Sequence, residues 1–180
     1  VWHTRRQVQS KPGWKAGDIV VTGMMTAAIE VAKTALAFLP NIELVTFLII
    51  VCTLVFGKKT FAAVFAFVGI ECLIWGMNLW VINYLYVWPL LVVMTLVMKR
   101  RGCDSALAYA VLAGAFGLGF GALCAIPYLF VGGPVMMASW WVSGIPFDLI
   151  HGGGNFILCL VLFRPILRAL EKCTNIFQIK

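Results

Sequence analysis

The segment GIPFDLIHGGGNFILCLVLFRPILRAL, residues 144–170, is apolar enough to lie in lipid, yet before its basic exit at Arg164 and Arg168 it carries three polar side chains. Asp148, His151 and Asn155 are spaced i, i+3, i+7, so a helix places them on one face. Ionisable groups at membrane depth are costly, and they usually face a bundle interior or a polar cavity. The polar stripe therefore predicts a small-molecule site inside a helical membrane protein.

The composition of the whole chain agrees with a membrane location. Of the 180 residues, 62% are hydrophobic and 12% are charged, and the mean hydropathy is +0.98. Soluble domains usually contain about 25% charged residues. The net charge of +7 comes from basic residues at the ends of apolar runs, which is typical of membrane orientation rather than nucleic-acid binding. We therefore predict an all-α membrane protein.

Helix boundaries follow from the apolar runs. These runs predict six helices, over residues 18–37, 44–56, 60–77, 79–98, 105–131 and 144–170, with an uncharged cap over 136–141. Lys and Arg lie before the first helix, between the second and third, between the fourth and fifth, and at the exit of the sixth, and only Lys33 falls well inside a span. The positive-inside rule then predicts a six-transmembrane-helix bundle with both termini cytoplasmic. The predicted organisation is a basic cytoplasmic or interfacial leader (1–17), a membrane domain (18–171) and a cytoplasmic tail (172–180).

Small residues at four-residue spacing mark predicted contact surfaces. Ala28 and Ala32 on the first helix let another helix approach closely, either within the chain or in a partner subunit. Ala110/Gly114 and Gly117/Gly121 on the fifth helix predict similarly close contacts. On the first helix, Glu30 and Lys33 are three residues apart, and we expect them to form a structural ion pair.

The candidate ligand residues lie at the predicted outer ends of the helices. Glu71, Trp75 and Asn78 are spaced i, i+4, i+7 and form a second polar and aromatic stripe. The aromatic start of the fourth helix is either an interfacial belt or a surface that stacks on a flat ligand. We identified no Arg or Lys in this outer half, which favours an amide-bearing, partly apolar ligand over an anion. The candidate substrate-binding residues are Asn41, Glu43, Glu71, Trp75, Asn78, Trp80, Asn83, Tyr84, Trp88, Trp140, Trp141, Asp148 and His151.

Motifs for several other functions are missing from the sequence. There is no GxxxxGK[ST], HExxH or GxSxG motif, so we do not expect this chain to hydrolyse ATP or act as an enzyme. Asp148 and His151 could form a carboxylate–imidazole pair, but no Ser or Cys nucleophile is evident beside them. The six cysteines are scattered without a CxxC motif, so we predict neither a metal site nor a disulfide framework.

Four stretches of the chain carry a family resemblance. TAAIEVAKTALA (26–37), LPNIELVTFLIIV (39–51), GKK (57–59) and IPFDLIHGGGNFILCLVLFRPI (145–166) resemble the substrate-binding S component of energy-coupling factor (ECF) vitamin transporters. The resemblance covers residues 19–170. It implies a multi-pass protein of the bacterial plasma membrane that binds a vitamin at the outer face. It also implies a separate membrane scaffold subunit and two cytoplasmic ATPase subunits, which bind the ATP and Mg²⁺, with no cofactor in this chain.

The same resemblance implies roles for parts of this chain. The small-residue face of the first helix, Ala28, Ala32 and Ala35, corresponds to the surface that docks on the scaffold, and residues 39–44 correspond to the gating loop. The chain is similar to S components assigned to cobalamin or cobinamide, and pantothenate, riboflavin or another vitamin remains an alternative. A stand-alone secondary transporter is a further alternative. We expect His151 to make a structural hydrogen bond rather than to bind cobalt, because it lies deep in the helix.

Overall fold

The computed structural model describes residues 14–176, and helices account for 88% of them, with no strand in this range. A 3₁₀ turn, Gly57–Lys59, joins the second helix to the third. The predicted leader up to residue 13 and the tail beyond residue 176 lie outside the described residues. The helices are α1 (Ala16–Ala35), α2 (Val45–Phe56), α3 (Thr60–Trp75), α4 (Leu79–Arg100) and α5 (Ala106–Ile176).

Helix α5 is broken at Gly132 and Gly133, where the backbone leaves helical geometry. Gly133 has φ +77°, a left-handed conformation that glycine adopts without steric cost. The break divides α5 into a first arm (106–131) and a second arm (134–176). The predicted end of a helix near residue 131 is therefore confirmed. The predicted non-helical cap over 136–141 is wrong, because helical structure resumes directly after Gly133 and continues through these residues.

The two arms of α5 pack against each other in antiparallel directions through glycine. A Cβ atom on Gly117 would lie 2.8 Å from the Gly152 Cα atom, and one on Gly114 would lie 3.1 Å from the Phe156 Cβ atom. Position 117 requires glycine, because real Cβ atoms do not approach so closely, and a Cβ atom at position 114 would push Phe156 aside by a few tenths of an ångström. The close helix contact expected from the small residues at 114, 117 and 121 thus occurs within the chain.

Helix α2 lies at the centre of the bundle. It packs against α1, α3, α4 and α5, and Ile49, Ile50 and Val51 in its middle are fully buried. Helix α1 packs mainly on α2 and α3 and keeps one face uncovered. The loop between α1 and α2 then crosses towards the second arm of α5, which positions it over the site described below.

The turns and loops separate by charge between the two ends of the bundle. At one end, Lys59 Nζ donates to Asp18 Oδ1 at 2.5 Å, and Lys99 Nζ donates to the Leu54 carbonyl oxygen at 2.6 Å. These contacts bring together the start of α1, the α2–α3 turn and the end of α4, which we call the basic end. The three connections that contain no Lys or Arg lie at the other end of the bundle.

Within residues 14–176, three helical stretches are long and apolar enough to cross a membrane: Val45–Trp75, Leu79–Arg100 and Ala106–Thr174. Many large apolar side chains outside the core are exposed, among them Leu73, Phe130 and Ile157. In water such a surface would be unfavourable, whereas lipid solvates it. The structure is therefore that of an all-helical chain suited to a membrane.

Candidate ligand-binding site

A cavity of about 210 Å³ lies at the end of the bundle opposite the basic end. The α1–α2 loop, α3, α4 and both arms of α5 surround it. We call it the main cavity, and its lining residues are Lys33, Asn41, Glu43, Val45, Phe67, Tyr84, Trp88, Phe120, Asp148 and His151. A neighbouring hollow of about 360 Å³, the side hollow, shares Lys33 and Tyr84 with it and adds Glu71, Trp75 and Trp80.

Nine of the thirteen predicted substrate-binding residues line one of these two spaces. The residues that line the main cavity come from α1, the α1–α2 loop, α2, α3, α4 and both arms of α5, and those that line the side hollow come from α1, α3 and α4. The stripe on the second arm is buried as predicted: Asp148, His151 and Asn155 are 7%, 6% and 1% exposed. In the main cavity these predicted residues are Asn41, Glu43, Tyr84, Trp88, Asp148 and His151, and in the side hollow Glu71, Trp75 and Trp80.

Asn78 and Asn83 line neither space. Asn78 lies beyond the predicted stripe because α3 ends at Trp75 and Gly76 follows with φ +78°, so the i, i+7 relation to Glu71 is lost. Asn83 is buried, and its Oδ1 atom accepts a hydrogen bond from the Tyr86 hydroxyl at 3.1 Å.

Trp140 and Trp141 also lie away from both spaces. Both are exposed on the second arm near its start. The Trp140 ring stacks on Tyr128 of the first arm, with the centroids 4.9 Å apart. Trp140 therefore helps to hold the two arms together, since the broken helix brings these two rings face to face.

The α1–α2 loop is held in place by Glu43. Its carboxylate accepts hydrogen bonds from the backbone N–H groups of Val45 and Thr46 at 2.7 and 3.2 Å, which satisfies donors in the first turn of α2. The Glu43 Oε1 atom also lies 3.1 Å from His151 Nε2. The Glu43 side chain thus both caps α2 and connects the loop to the second arm of α5. His151 makes a structural hydrogen bond, as expected.

Asp148 has a different partner from His151. Its Oδ1 atom accepts a hydrogen bond from the Gly121 backbone N–H at 2.9 Å. A Cβ atom on residue 121 would clash with the Asp148 carboxylate, so glycine is needed there. The carboxylate–imidazole hydrogen bond considered for Asp148 and His151 is not among the contacts of the described residues, because each side chain has a different partner.

Lys33 is the main residue of the site that sequence reasoning missed. It was expected to pair with Glu30, but its ammonium group donates instead to Glu71 on α3. The ammonium nitrogen also lies 5.8–6.0 Å from the ring centroids of Phe67, Trp75 and Tyr84. The statement that the outer half contains no cation is therefore wrong. The sequence did contain a signal for Lys33, because an ionisable residue inside an apolar span usually belongs to a functional site.

Four aromatic rings contribute to the wall of the main cavity. Trp80, Tyr84 and Trp88 follow one another at four-residue spacing on α4, and neighbouring rings are 5.1 and 5.4 Å apart in edge-to-face arrangements. Phe120 packs against Trp88 and, at 4.9 Å between ring centroids, against His151. The repeated spacing on one helix face is a sequence signal that these rings line a common surface.

Three buried polar atoms on the lining residues lack hydrogen-bond partners within the part of the chain that the structure describes. They are Glu71 Oε1, Trp88 Nε1 and Asp148 Oδ2, and their residues are 1%, 3% and 7% exposed. Leaving a buried polar atom unpaired costs about 1–3 kcal/mol. A ligand that pairs with these atoms would recover that energy.

Across residues 14–176, no group of three or more His, Cys, Asp or Glu side chains is arranged to hold a metal ion. No protein-family model, curated protein or solved structure matches the chain. The cavity and the charge distribution are therefore the observations from which a function can be argued.

Proposed function

We propose that this chain is the substrate-binding S component of an ECF importer in a bacterial plasma membrane, where it captures a vitamin at the outer face. In this proposal α1 to α4 and the two arms of α5 form six membrane helices, with both termini cytoplasmic. ATP hydrolysis takes place in separate partner subunits. The resemblance of residues 19–170 to this family supplies the class of importer.

The main cavity is the observation that carries the proposal. It is a partly enclosed space lined by carboxylates, an ammonium group, an amide, an imidazole and aromatic rings, inside a bundle that exposes many large apolar side chains. Ligand sites of membrane bundles have this character, with polar groups facing a cavity rather than lipid. Because the cavity lies opposite the basic end, the positive-inside rule assigns it to the outer face.

Two further features support the roles proposed for parts of the chain. The α1–α2 loop reaches the second arm through Glu43 and His151, as a gate over the main cavity would. On α1, Ala28 and Ala35 are exposed and Ala32 is half-buried, so small residues are accessible for docking on a scaffold subunit.

The cavity volume bears on the choice of vitamin. Sites for drug-sized ligands usually measure about 300–1,000 Å³, and the main cavity is smaller than that range. This favours a compact vitamin over the corrinoid macrocycle of cobalamin or cobinamide. Compact vitamins therefore rank above a corrinoid as candidate substrates.

Reconstitution tests the proposal directly. The purified chain is expected to retain a small molecule that mass spectrometry identifies. Proteoliposomes should take up that molecule only when the scaffold and ATPase subunits and ATP are present. Energised uptake by the partner subunits without this chain would overturn the proposal.

A stand-alone secondary transporter is the second candidate, and the Lys33–Glu71 pair favours it. Ion pairs within membrane spans often belong to proton or ion pathways. In that case proteoliposomes containing only this chain would show ATP-independent flux, and Glu71→Gln would abolish it.

A further inference from the structure

We propose that the main cavity binds a small, flat, cationic nitrogen heterocycle that donates N–H groups to buried carboxylates and offers one acceptor to the indole of Trp88. This inference rests on the proposed function only in taking the cavity as the ligand site. It adds the chemical class of the ligand.

The first step concerns charge. Glu71 is paired with the Lys33 ammonium, and Glu43 Oε1 lies within hydrogen-bond distance of the His151 imidazole. Asp148 remains, and within the described residues its one hydrogen bond comes from the uncharged Gly121 backbone. Because burying an uncompensated carboxylate is costly, the binding of a cation beside Asp148 is favourable, whereas the binding of an anion there is not.

The second step concerns the unpaired atoms. Asp148 Oδ2 is a buried acceptor without a donor, and Trp88 Nε1 is a buried donor without an acceptor. Both residues line the main cavity. A ligand that satisfies both must carry an N–H group and, elsewhere on the same molecule, a lone pair. The Glu71 Oε1 atom is a further unpaired acceptor at the wall of the side hollow.

The third step concerns the aromatic walls and the volume of the main cavity. Phe67, Tyr84, Trp88 and Phe120 form the walls of the main cavity. The ammonium of Lys33 already lies about 6 Å from the centroids of Phe67 and Tyr84, so these rings are placed to attract positive charge. A planar ring of one or two cycles fits a volume of about 210 Å³ and can stack between such walls.

Lys33 does not make the site suitable for an anion. Its ammonium is bonded to Glu71, whose other oxygen still lacks a donor. An anionic ligand would have to displace Glu71 from Lys33 and would then leave a buried carboxylate without its cation, which is strongly unfavourable.

Three matched probes test this inference on the intact chain. Pyridine-3-carboxamidine, nicotinamide and nicotinate share one ring with an acceptor nitrogen and carry a cationic, a neutral and an anionic group. Isothermal titration calorimetry of the detergent-purified protein should show the amidine binding about tenfold or more tightly than either of the others, because a charged hydrogen bond contributes about 1.5–3 kcal/mol. Equal binding, preference for nicotinate, or no binding of any probe would overturn the inference.

Variants then locate the contact. Asp148→Asn keeps an Oδ1 acceptor for Gly121 but removes the charge, and it should lower amidine affinity about tenfold while nicotinamide affinity changes little. The control is Asp104→Asn, since Asp104 is exposed at the basic end and should leave all three affinities unchanged. If Asp148→Asn lowers the affinities for amidine and nicotinamide equally, Asp148 does not bind the cation and the inference fails.

Failure of this inference can be told apart from failure of the proposed function. Preference for nicotinate together with uptake that needs the ATPase subunits would refute only the ligand class. Preference for the amidine together with ATP-independent flux would refute only the ECF assignment.

Discussion

At the scale of single residues, the most unusual feature is the ion pair between Lys33 and Glu71. Glu71 is almost fully buried, whereas the Lys33 side chain is 30% exposed at the cavity. A charge pair in an apolar bundle is costly to form, but it is much more costly to break, because one charge then stays buried alone. The pair also places a cation among three aromatic rings at the site.

Removing one partner of this pair should destabilise the protein more than removing both. We expect Lys33→Met to lower the free energy of unfolding by about 3 kcal/mol, because Glu71 is left unpaired. The double variant Lys33→Met/Glu71→Leu should recover most of that loss. Thermal unfolding in detergent measures both, with the exposed Lys58→Met as the control. If the single and double variants lose the same free energy of unfolding, the proposed pairing of Lys33 with Glu71 is contradicted.

At the scale of elements, the contact between the two arms of α5 positions the polar stripe. Glycine on one arm allows the backbone of the other to approach, and Asp148 reaches the N–H of Gly121 as a result. The α1–α2 loop then closes the site from the side through Glu43. The positions of the carboxylates thus depend on helix packing rather than on any one helix.

Gly117 tests the contact between the arms. Gly117→Ala should lower the free energy of unfolding by about 1–3 kcal/mol, because its Cβ atom would lie 2.8 Å from Gly152. Gly119→Ala is the matched control, since a Cβ atom there meets nothing within 4 Å, and alanine is the better helix former. Thermal unfolding of both variants provides the comparison. A stable Gly117→Ala with an unstable Gly119→Ala would refute this packing.

Glu43 tests the attachment of the loop. Glu43→Ala should speed hydrogen exchange both in the loop (36–44) and at the N–H groups of Val45 and Thr46, because it removes the cap and the tie together. His151→Leu should speed exchange in the loop while the two N–H groups stay protected. Hydrogen exchange measured by mass spectrometry distinguishes these patterns. Unchanged exchange in the loop of both variants would show that the contact between Glu43 and His151 does not hold the loop.

At the scale of the whole molecule, the bundle has a basic end and an opposite end that contains the cavity and has no Lys or Arg in its connections. Three of its helical stretches are apolar enough to span a membrane. Helix α1 is held mainly by α2 and α3, and its small residues remain accessible on one side. These properties suit a subunit that binds a solute at one face and another membrane protein along its flank.

The proposed orientation can be tested by labelling with a membrane-impermeant maleimide. Met77→Cys places a thiol in the exposed connection before α4, and we expect labelling in intact cells. Cys173 is exposed near the end of α5 and should be labelled only in inverted vesicles. The reverse pattern would place the cavity on the cytoplasmic side and overturn the proposed capture from outside.

The proposed docking surface can be tested with a bulky substitution. Ala28→Trp should prevent co-purification with the scaffold subunit while ligand binding persists, because the indole blocks close helix approach. Ala138→Trp is the control, since Ala138 is exposed on the second arm, away from α1. Loss of ligand binding with assembly intact would contradict this division of roles.

The sequence by itself determined the all-helical, apolar character of the chain, the grouping of its basic turns and the buried stripe of Asp148, His151 and Asn155. Composition and periodicity are local properties, and the break at Gly132–Gly133 could also be predicted because glycine and the following proline act on their own backbone. The choice of Glu71 rather than Glu30 for Lys33, the tie from Glu43 to His151 and the unpaired Asp148 oxygen were decided only by the tertiary structure. Each of these depends on which helices are neighbours, and local spacing does not contain that information.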